Sequence, residues 1–283
     1  MKKTVMDTIC SSFDTFFDSE KKIAKFIINH YDQVVEMTVG ELSKASGASE
    51  ASVSRFCKKI GVKGFHHLKI SLAKEMVDVD TNKVKVVSNR ISIDDVSQSL
   101  QNILANKIEE LKQTVSMMDN EQLEKILKVI QHAKTVQFIA VGNTVPVAID
   151  GAFKLNQIGI PAVSGAIWEN QIGFTYNLTQ DDVVIAISNS GESRGVITAM
   201  EAAKEVGATT ISITNNNQST VARVSDFHIM TATREKLFLD GYCFSRVSAT
   251  TVIEILYLFL TSMNKDSYKN IARHENAIAG DKF

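Results

Sequence analysis

The sequence is short of several things, and each shortage removes a class of answer. Its three cysteines, Cys10, Cys57 and Cys243, lie far apart and form no CxxC pair. An odd, scattered set argues against a disulfide framework, and without ligand-spaced histidines nearby the thiols read as reduced and structural. An excess of one charge is missing too: 31 Lys and Arg stand against 32 Asp and Glu, for a net charge of −1. A nucleic-acid role therefore cannot come from overall basicity and needs a local basic surface. No long apolar run is present. The most apolar stretch, Val252 to Leu260, is too short for a membrane span and contains Glu254. Lys2 and Lys3 open the chain, but polar residues and Asp7 break up the next stretch, so no signal-peptide core forms. Nor is there a low-complexity tract. These exclusions leave a soluble, cytoplasmic protein with no membrane partner.

What is present is ample apolar content, 44% of 283 residues, enough for one large domain or two ordinary ones. Residues 1–77 read as all helix. Asp18 or Ser19 can cap a helix from Glu20 to about His30, with Ile23, Phe26 and Ile27 on one face. Thr38 and Glu41 form a capping box, and the short helix they start is broken at Gly47. Ser49 can cap the next helix, Glu50 to about Ile60. There Val53, Phe56, Cys57 and Ile60 recur at helical spacing and predict one buried face. The opposite face shows Ser52, Ser54, Arg55, Lys58 and Lys59. A short helix, a glycine turn and a helix with a basic outer face have the form of a helix-turn-helix. From Arg55 to Lys74 there is no Asp or Glu, while Lys63, His66, His67 and Lys69 extend the positive run. That is a local footprint for phosphate backbone. An ordinary helical bundle with a solvated basic face would give the same pattern.

Mixed polar and valine residues come after Val77, and 78–92 is expected to be a linker. Two helical patterns come next, about Asp94 to Met117 and from Asp119 to about Ala133. The first repeats Val96, Leu100, Ile103, Leu104, Ile108 and Leu111. From Thr135 strands alternate with helices: Val136–Val141, Ile160–Val163, Val183–Ile187, Ala208–Thr214 and Asp226–Met230 are the strands. A long helix, about Tyr242 to Met263, closes the region. Alternation of this kind predicts right-handed crossovers and a three-layer α/β domain, residues 93–283, with a parallel sheet between helices. Ligands on such sheets bind outside the carboxyl ends of the strands.

The stretch Val183-Val184-Ile185-Ala186-Ile187-Ser188-Asn189-Ser190-Gly191-Glu192-Ser193 gathers these expectations. Its unbroken apolar run suits a strand buried on both faces. The loop after it stands at the amino end of a helix, where free N–H groups and the helix dipole favour an anion. Ser188, Ser190 and Ser193 add hydroxyls, and Gly191 lets the backbone approach a ligand. A plain strand-to-helix loop capped by Ser193 is the alternative. The loop after the first strand, Gly142-Asn143-Thr144, is expected to converge on the same site.

Two of these segments resemble a known family. Ser188-Asn189-Ser190-Gly191-Glu192-Ser193 is similar to the SxSGE(T/S) loop of sugar isomerase (SIS) domains, which have a flavodoxin-like fold and bind phosphosugars. Ser49 to Gly61, with Arg55-Phe56-Cys57-Lys58-Lys59 and then Lys63-Gly64-Phe65, resembles the recognition helix of RpiR-type transcriptional regulators. Ser19-Glu20-Lys21-Lys22-Ile23-Ala24 resembles that family's first helix. The resemblance spans nearly the whole chain. It implies a regulator that binds double-stranded operator DNA and changes its affinity when the SIS domain senses a sugar phosphate. On the helix-turn-helix reading, Ser52, Ser54 and Arg55 are expected near base edges and Lys58, Lys59 and Lys63 on phosphates. The effector would meet Gly142, Asn143, Thr144, Ser188, Asn189, Ser190, Gly191 and Ser193. The chain departs from the family at Ala140, where the first loop often has glycine, and at Ile167-Trp168-Glu169-Asn170-Gln171, which keeps only Gln171 of a DxHxQ motif.

SIS folds also serve aldose–ketose isomerases, which need a positioned base and acid. Glu169, Glu192, Glu235 and Glu254, with His132, His228 and His274, are the candidates, and none forms a recognisable pair. No nucleophile with an adjacent base, no metal constellation and no cofactor is indicated. The reading is a non-enzymatic regulator, a homodimer or homotetramer, with a sugar-phosphate isomerase as the alternative. A SIS interaction module with a vestigial helix-turn-helix is a third possibility.

Overall fold

A computed structural model describes residues 4–77, 91–234 and 245–279. Residues 78–90 of the linker expected at 78–92, Glu235, Cys243 and the Tyr242 start of the last helix lie outside them. The chain divides into two compact units. One holds residues up to Met117 with Ala232–Ser245, the other Met118–Thr231 with Arg246 onward.

The first unit is helical. Its elements are α1 (Val5–Ser12), α2 (Asp18–Val34), α3 (Val39–Ser46), α4 (Glu50–Lys59), α5 (Phe65–Val77) and α6 (Val96–Ser116). The expected second helix is longer at both ends than the pattern suggested. No side chain caps it from Asp18 or Ser19; instead the Glu20 carboxylate accepts the Phe17 N–H at 2.9 Å, and Phe17 is the N-cap. The helix kinks at His30, whose φ of −140° leaves the helical region. Around α3 the capping box forms as read: Thr38 Oγ1 accepts from Glu41 N, and Glu41 Oε2 accepts from Thr38 N at 2.7 Å. Gly47 then ends α3 in the left-handed region at φ 65°, a conformation side-chain-bearing residues avoid. The core is continuous from α1 to α5. Ile9, Ile23, Ile27, Leu42, Val53, Phe56, Leu68 and Leu72 are fully buried. The Phe16 and Phe56 rings meet edge to face at 5.2 Å. α6 is different: its buried side chains are polar, and its apolar stripe is exposed.

The second unit runs α7 (Asn120–His132), β1 (Val136–Ala140), α8 (Val145–Gln157), β2 (Ala162–Ser164), α9 (Trp168–Thr175), β3 (Val183–Ile187), α10 (Arg194–Glu205), β4 (Thr209–Thr214), α11 (Thr220–Val224), β5 (Phe227–Met230), α12 (Val247–Met263) and α13 (Ser267–Ile278). All strand pairs are parallel, in the order β2-β1-β3-β4-β5. This is a flavodoxin-like order. Side-chain alternation along the strands divides the core into two layers. Phe138, Ile185, Ile187 and Ile213 pack under α7, α8 and α12, while Ile139, Val184 and Ala186 pack under α10 and α11. β1 and β3 are buried at every position; β3 therefore reads as an unbroken apolar run, while β1 is interrupted by Gln137, whose side-chain amide donates to Gln171 O and accepts from Thr175 Oγ1. The sequence pattern did not anticipate α13. Among the described residues no single helix is long and apolar enough to cross a membrane.

Candidate functional site

The first site is the outer face of α4. Ser49 caps the helix by accepting from Ser52 N at 3.1 Å. Ser54, Arg55 and Lys58 are exposed, as is Lys63 just beyond the helix. Two other residues expected to meet DNA are placed differently. Ser52 is buried, and its hydroxyl lies 2.9 Å from Ser49 Oγ and accepts from Arg55 Nη2 at 3.2 Å. It therefore steers the Arg55 guanidinium instead of presenting itself. Lys59 is exposed, but its amino group is already engaged at the surface: Nζ donates to Glu20 Oε2 at 2.6 Å and to Thr15 O at 3.1 Å, and sits over the Phe17 ring. A lysine held on three sides ties α4 to the start of α2. Cys57 lies on the buried side of α4, and burial pushes its thiol up to about 11, so it stays protonated and unreactive.

The second site lies at the carboxyl edge of the sheet. The strand order reverses direction between β1 and β3, and in open α/β sheets the loops at that reversal form the ligand crevice. They are 142–145 and 188–193, the two loops singled out from the sequence. Thr144 joins them by donating its hydroxyl to Ile187 O at 2.9 Å. That residue is buried, so its role is to clamp the two loops, not to offer a hydroxyl to a ligand as expected. Ser188 is buried as well, and its Oγ accepts the Gly191 N–H at 3.2 Å. Ser190 Oγ accepts from Glu192 N at 3.3 Å, and Ser193 is the N-cap of α10 with no side-chain cap bond. Ser190, Ser193, Asn143 and Asn189 are partly exposed and Gly142 is exposed.

A third loop, after β4, holds the second in shape. Asn215 N donates to Asn189 O at 2.9 Å, and Val221 N donates to Gly191 O at 3.0 Å. Glu192 caps α11 through Thr220 N and Thr220 Oγ1, at 2.9 and 2.8 Å. Gly191 has φ 68°, and a Cβ there would stand 2.1 Å from Ser219 Oγ. Both its backbone conformation and its surroundings require glycine. The 188–193 loop is thus preformed, with the amino end of α10 directly behind it.

Comparison with known proteins decides the family. An HTH-type transcriptional regulator of Caldanaerobacter subterraneus subsp. tengcongensis is 33% identical, over 95% of this chain and 94% of the relative. The helix-turn-helix domain of the rpiR family matches residues 3–78, and the SIS domain matches residues 129–259.

The chain belongs to the RpiR family of transcriptional regulators.

YbbH of Bacillus subtilis, another HTH-type regulator of this kind, is 31% identical over 85% of this chain and 84% of its own. Among solved structures, the sugar isomerase domain of an RpiR transcription factor from Sphaerobacter thermophilus shares 25% identity. It covers 64% of this chain and 99% of its own, with a TM-score of 0.59. Vibrio vulnificus NanR complexed with ManNAc-6P has the same fold, at 22% identity, 98% coverage of both chains and a TM-score of 0.59.

The remaining candidates find structural places. Gln171, the part of the family motif this chain keeps, is buried. Its amide donates to Ala140 O and Gly165 O, both at 2.8 Å, and accepts from Ala140 N at 2.9 Å. It splices the end of β1 to the residues before α9. The possible acids and bases of an isomerase are scattered. Glu254 pairs with Lys154 at 2.9 Å, His228 Nε2 lies 2.9 Å from Thr214 Oγ1, and His132 Nδ1 lies 2.8 Å from Lys128 O. Trp168 had no role assigned from the sequence. It is 42% exposed, and its ring lies 3.5 Å from where a Cβ would stand on Gly195, in the first turn of α10. Its signal was available: it is the one tryptophan in the chain, in the segment that departs from the family motif.

Proposed function

We propose that this regulator binds double-stranded operator DNA through α4 and that a sugar phosphate, held by the 188–193 loop, changes its affinity for that DNA. The observation that carries the proposal is the preformed loop at the β1/β3 reversal, backed by the amino end of α10. Backbone N–H groups at a helix start bind phosphate well, and partly exposed Ser190 and Ser193 add donors. Asn143, Gly142 and Asn189 border the same crevice, while Ser188 and Thr144 hold its shape. That NanR is complexed with a sugar phosphate on the same fold supports this ligand class. On the DNA, Arg55 and Ser54 are assigned to base edges and Lys58 and Lys63 to phosphates, with Ser52 and Lys59 acting from behind. The protein works in the cytoplasm as a homodimer or homotetramer that reads two half-sites. It needs no metal or cofactor and acts as a sensor, not an isomerase. Coupling between effector and DNA of the usual size, about 1–3 kcal/mol, would change operator affinity by several-fold to about a hundredfold.

The position of Trp168 makes the test direct, because one fluorophore stands beside the site. Full-length protein is titrated with a panel of sugar phosphates and their parent sugars while tryptophan emission is followed. One phosphosugar should change the emission saturably, its parent sugar should not, and Ser190→Ala with Ser193→Ala should weaken the response. An equal response to the parent sugar would remove the phosphate role, and silence across the panel in both emission and thermal unfolding would remove the ligand class.

A further inference from the structure

α6 is turned inside out. The side chains that the unit buries on it are Ser99, Asn102, Asn106, Glu110, Gln113 and Thr114. Most of its apolar residues face solvent: Val96 is 50% exposed, Leu100 59%, Leu104 53%, Ile108 42% and Val115 52%, and Ile93, just before the helix, is 86% exposed, while Ile103 and Leu111 at the edge of the stripe are partly buried. At 100° per residue the two sets are centred roughly 130° apart, with Val96 and Thr114 on the boundary between them. Most polar groups at the buried face are satisfied from within the unit, Gln113 Oε1 being the exception. Glu110 accepts the Arg234 N–H and pairs with Lys107 at 2.9 Å, and Thr114 Oγ1 accepts from Ala232 N at 3.0 Å. The inversion is therefore built, and among the described residues nothing covers the outward stripe.

We infer that this stripe is the face on which two copies of the chain pair, α6 against α6. Three features select a second copy. The stripe carries no Asp or Glu, and the one charge within it, Lys107, is already paired with Glu110, so like meets like with little repulsion. Its spacing recurs every eleven residues, Ile93 to Leu104 to Val115 and Leu100 to Leu111. That repeat lets two helices run side by side nearly straight for the whole length of α6. Its area reaches the needed size at full burial: the exposed residues amount to roughly 600 Å² per copy, at most about 1,200 Å² in a pair, the lower bound of a stable interface. The inference rests on the proposed reading of paired half-sites only for the choice of partner, since α6 shares its unit with the single α4 of each chain.

Leu104 stands midway along the stripe, so it meets its own counterpart whether the helices pair parallel or antiparallel. The test is sedimentation of the full chain without DNA or effector. Wild type should be dimeric or larger at micromolar concentration. Leu104→Glu with Ile108→Glu should weaken self-association by about a hundredfold or more, because carboxylates then face each other across the seam. Leu258→Glu with Phe259→Glu, on the exposed side of α12, is the comparison and should do less. A second variant guards against misfolding: Leu104→Cys in a Cys243→Ser background should give a covalent dimer under mild oxidation, since Cys10 and Cys57 are buried. The inference is overturned by a monomeric wild type, or by a dimer that the α6 substitutions leave intact. It is equally overturned if only the α12 pair breaks the dimer, if Leu104→Cys fails to cross-link, or if the α6 change lowers thermal stability alone, which would mean the chain covers its own stripe. None of these outcomes bears on effector binding, which Trp168 reports separately.

Discussion

The two sites proposed to meet ligands are built in opposite ways. On α4 the functional groups are side chains, projected from a helix whose other face is buried in the core through Val53, Phe56 and Cys57. At 188–193 they are largely backbone, and the side chains mostly hold the loop: Ser188 on Gly191, Glu192 on Thr220, Thr144 across from the neighbouring loop. A projecting side chain can be removed with little effect on the fold. A loop made of main chain cannot be altered without moving the thing that binds. This contrast predicts that substitutions on α4 separate binding from stability, whereas substitutions in the loop join them.

The largest effect is expected at Gly191. Alanine there meets Ser219 Oγ and must hold a left-handed φ, so the loop has to shift. Gly191→Ala should abolish the effector response and cost the sheet domain about 2 kcal/mol or more, read by thermal unfolding and by Trp168 emission. Operator binding without effector should survive. A normal effector response in this variant would break the contrast at its stronger end.

Next comes Arg55→Ala. If Arg55 reads a base pair, its loss costs about 1–3 kcal/mol against the cognate operator and relaxes the preference at one position, measured by binding to single-base operator variants. Thermal unfolding should move by no more than about 0.5 kcal/mol, as for an exposed surface residue. An equal loss on cognate and random DNA would remove the base-reading role.

The two adjacent lysines sharpen the comparison within one helix. Lys58→Ala should weaken all DNA sequences alike and reduce the salt slope of binding by about one. Lys59→Ala should leave that slope unchanged and instead lower stability by up to about 1 kcal/mol, since its partner is Glu20. Exchange of these two outcomes would reverse the assignment.

The smallest effect concerns pH. Burial pushes the Glu75 carboxyl up to about 7, against the ordinary value of 4.5, although it accepts the Val5 and Met6 N–H groups. Between those two values the folded chain holds a proton that the unfolded chain has released. Stability from this source is complete below about 4.5 and is lost as pH rises through about 7. The helical unit should therefore unfold at a lower temperature at pH 8.5 than at pH 6, and Glu75→Gln should flatten that difference. A flat profile in the wild type would contradict the burial of Glu75.

The same division explains what could be read from the residues alone. Elements with strong periodicity were legible. The capping box at Thr38, the buried face of α4 and the unbroken run of β3 all report local forces. The positions of the two loops were legible because each follows an apolar strand and precedes a helical pattern. What escaped was decided by partners distant in sequence. Nothing near Lys59 announces Glu20, thirty-nine positions away. Nor does Thr144 announce Ile187, or Gln171 the end of β1. α6 shows the limit most plainly. Its period specifies an amphipathic helix, yet period alone cannot say which face the chain buries and which it leaves for something else.

The measurement closest to the central claim is operator affinity with and without effector, at fixed salt, for wild type and Gly191→Ala. Once the Trp168 titration has named a phosphosugar, labelled operator is titrated with protein in its presence and absence. The account predicts a several-fold to hundredfold change for wild type, none for Gly191→Ala, and the same factor when DNA is added to the effector titration instead. An operator affinity that a saturating, bound phosphosugar leaves unchanged would contradict it.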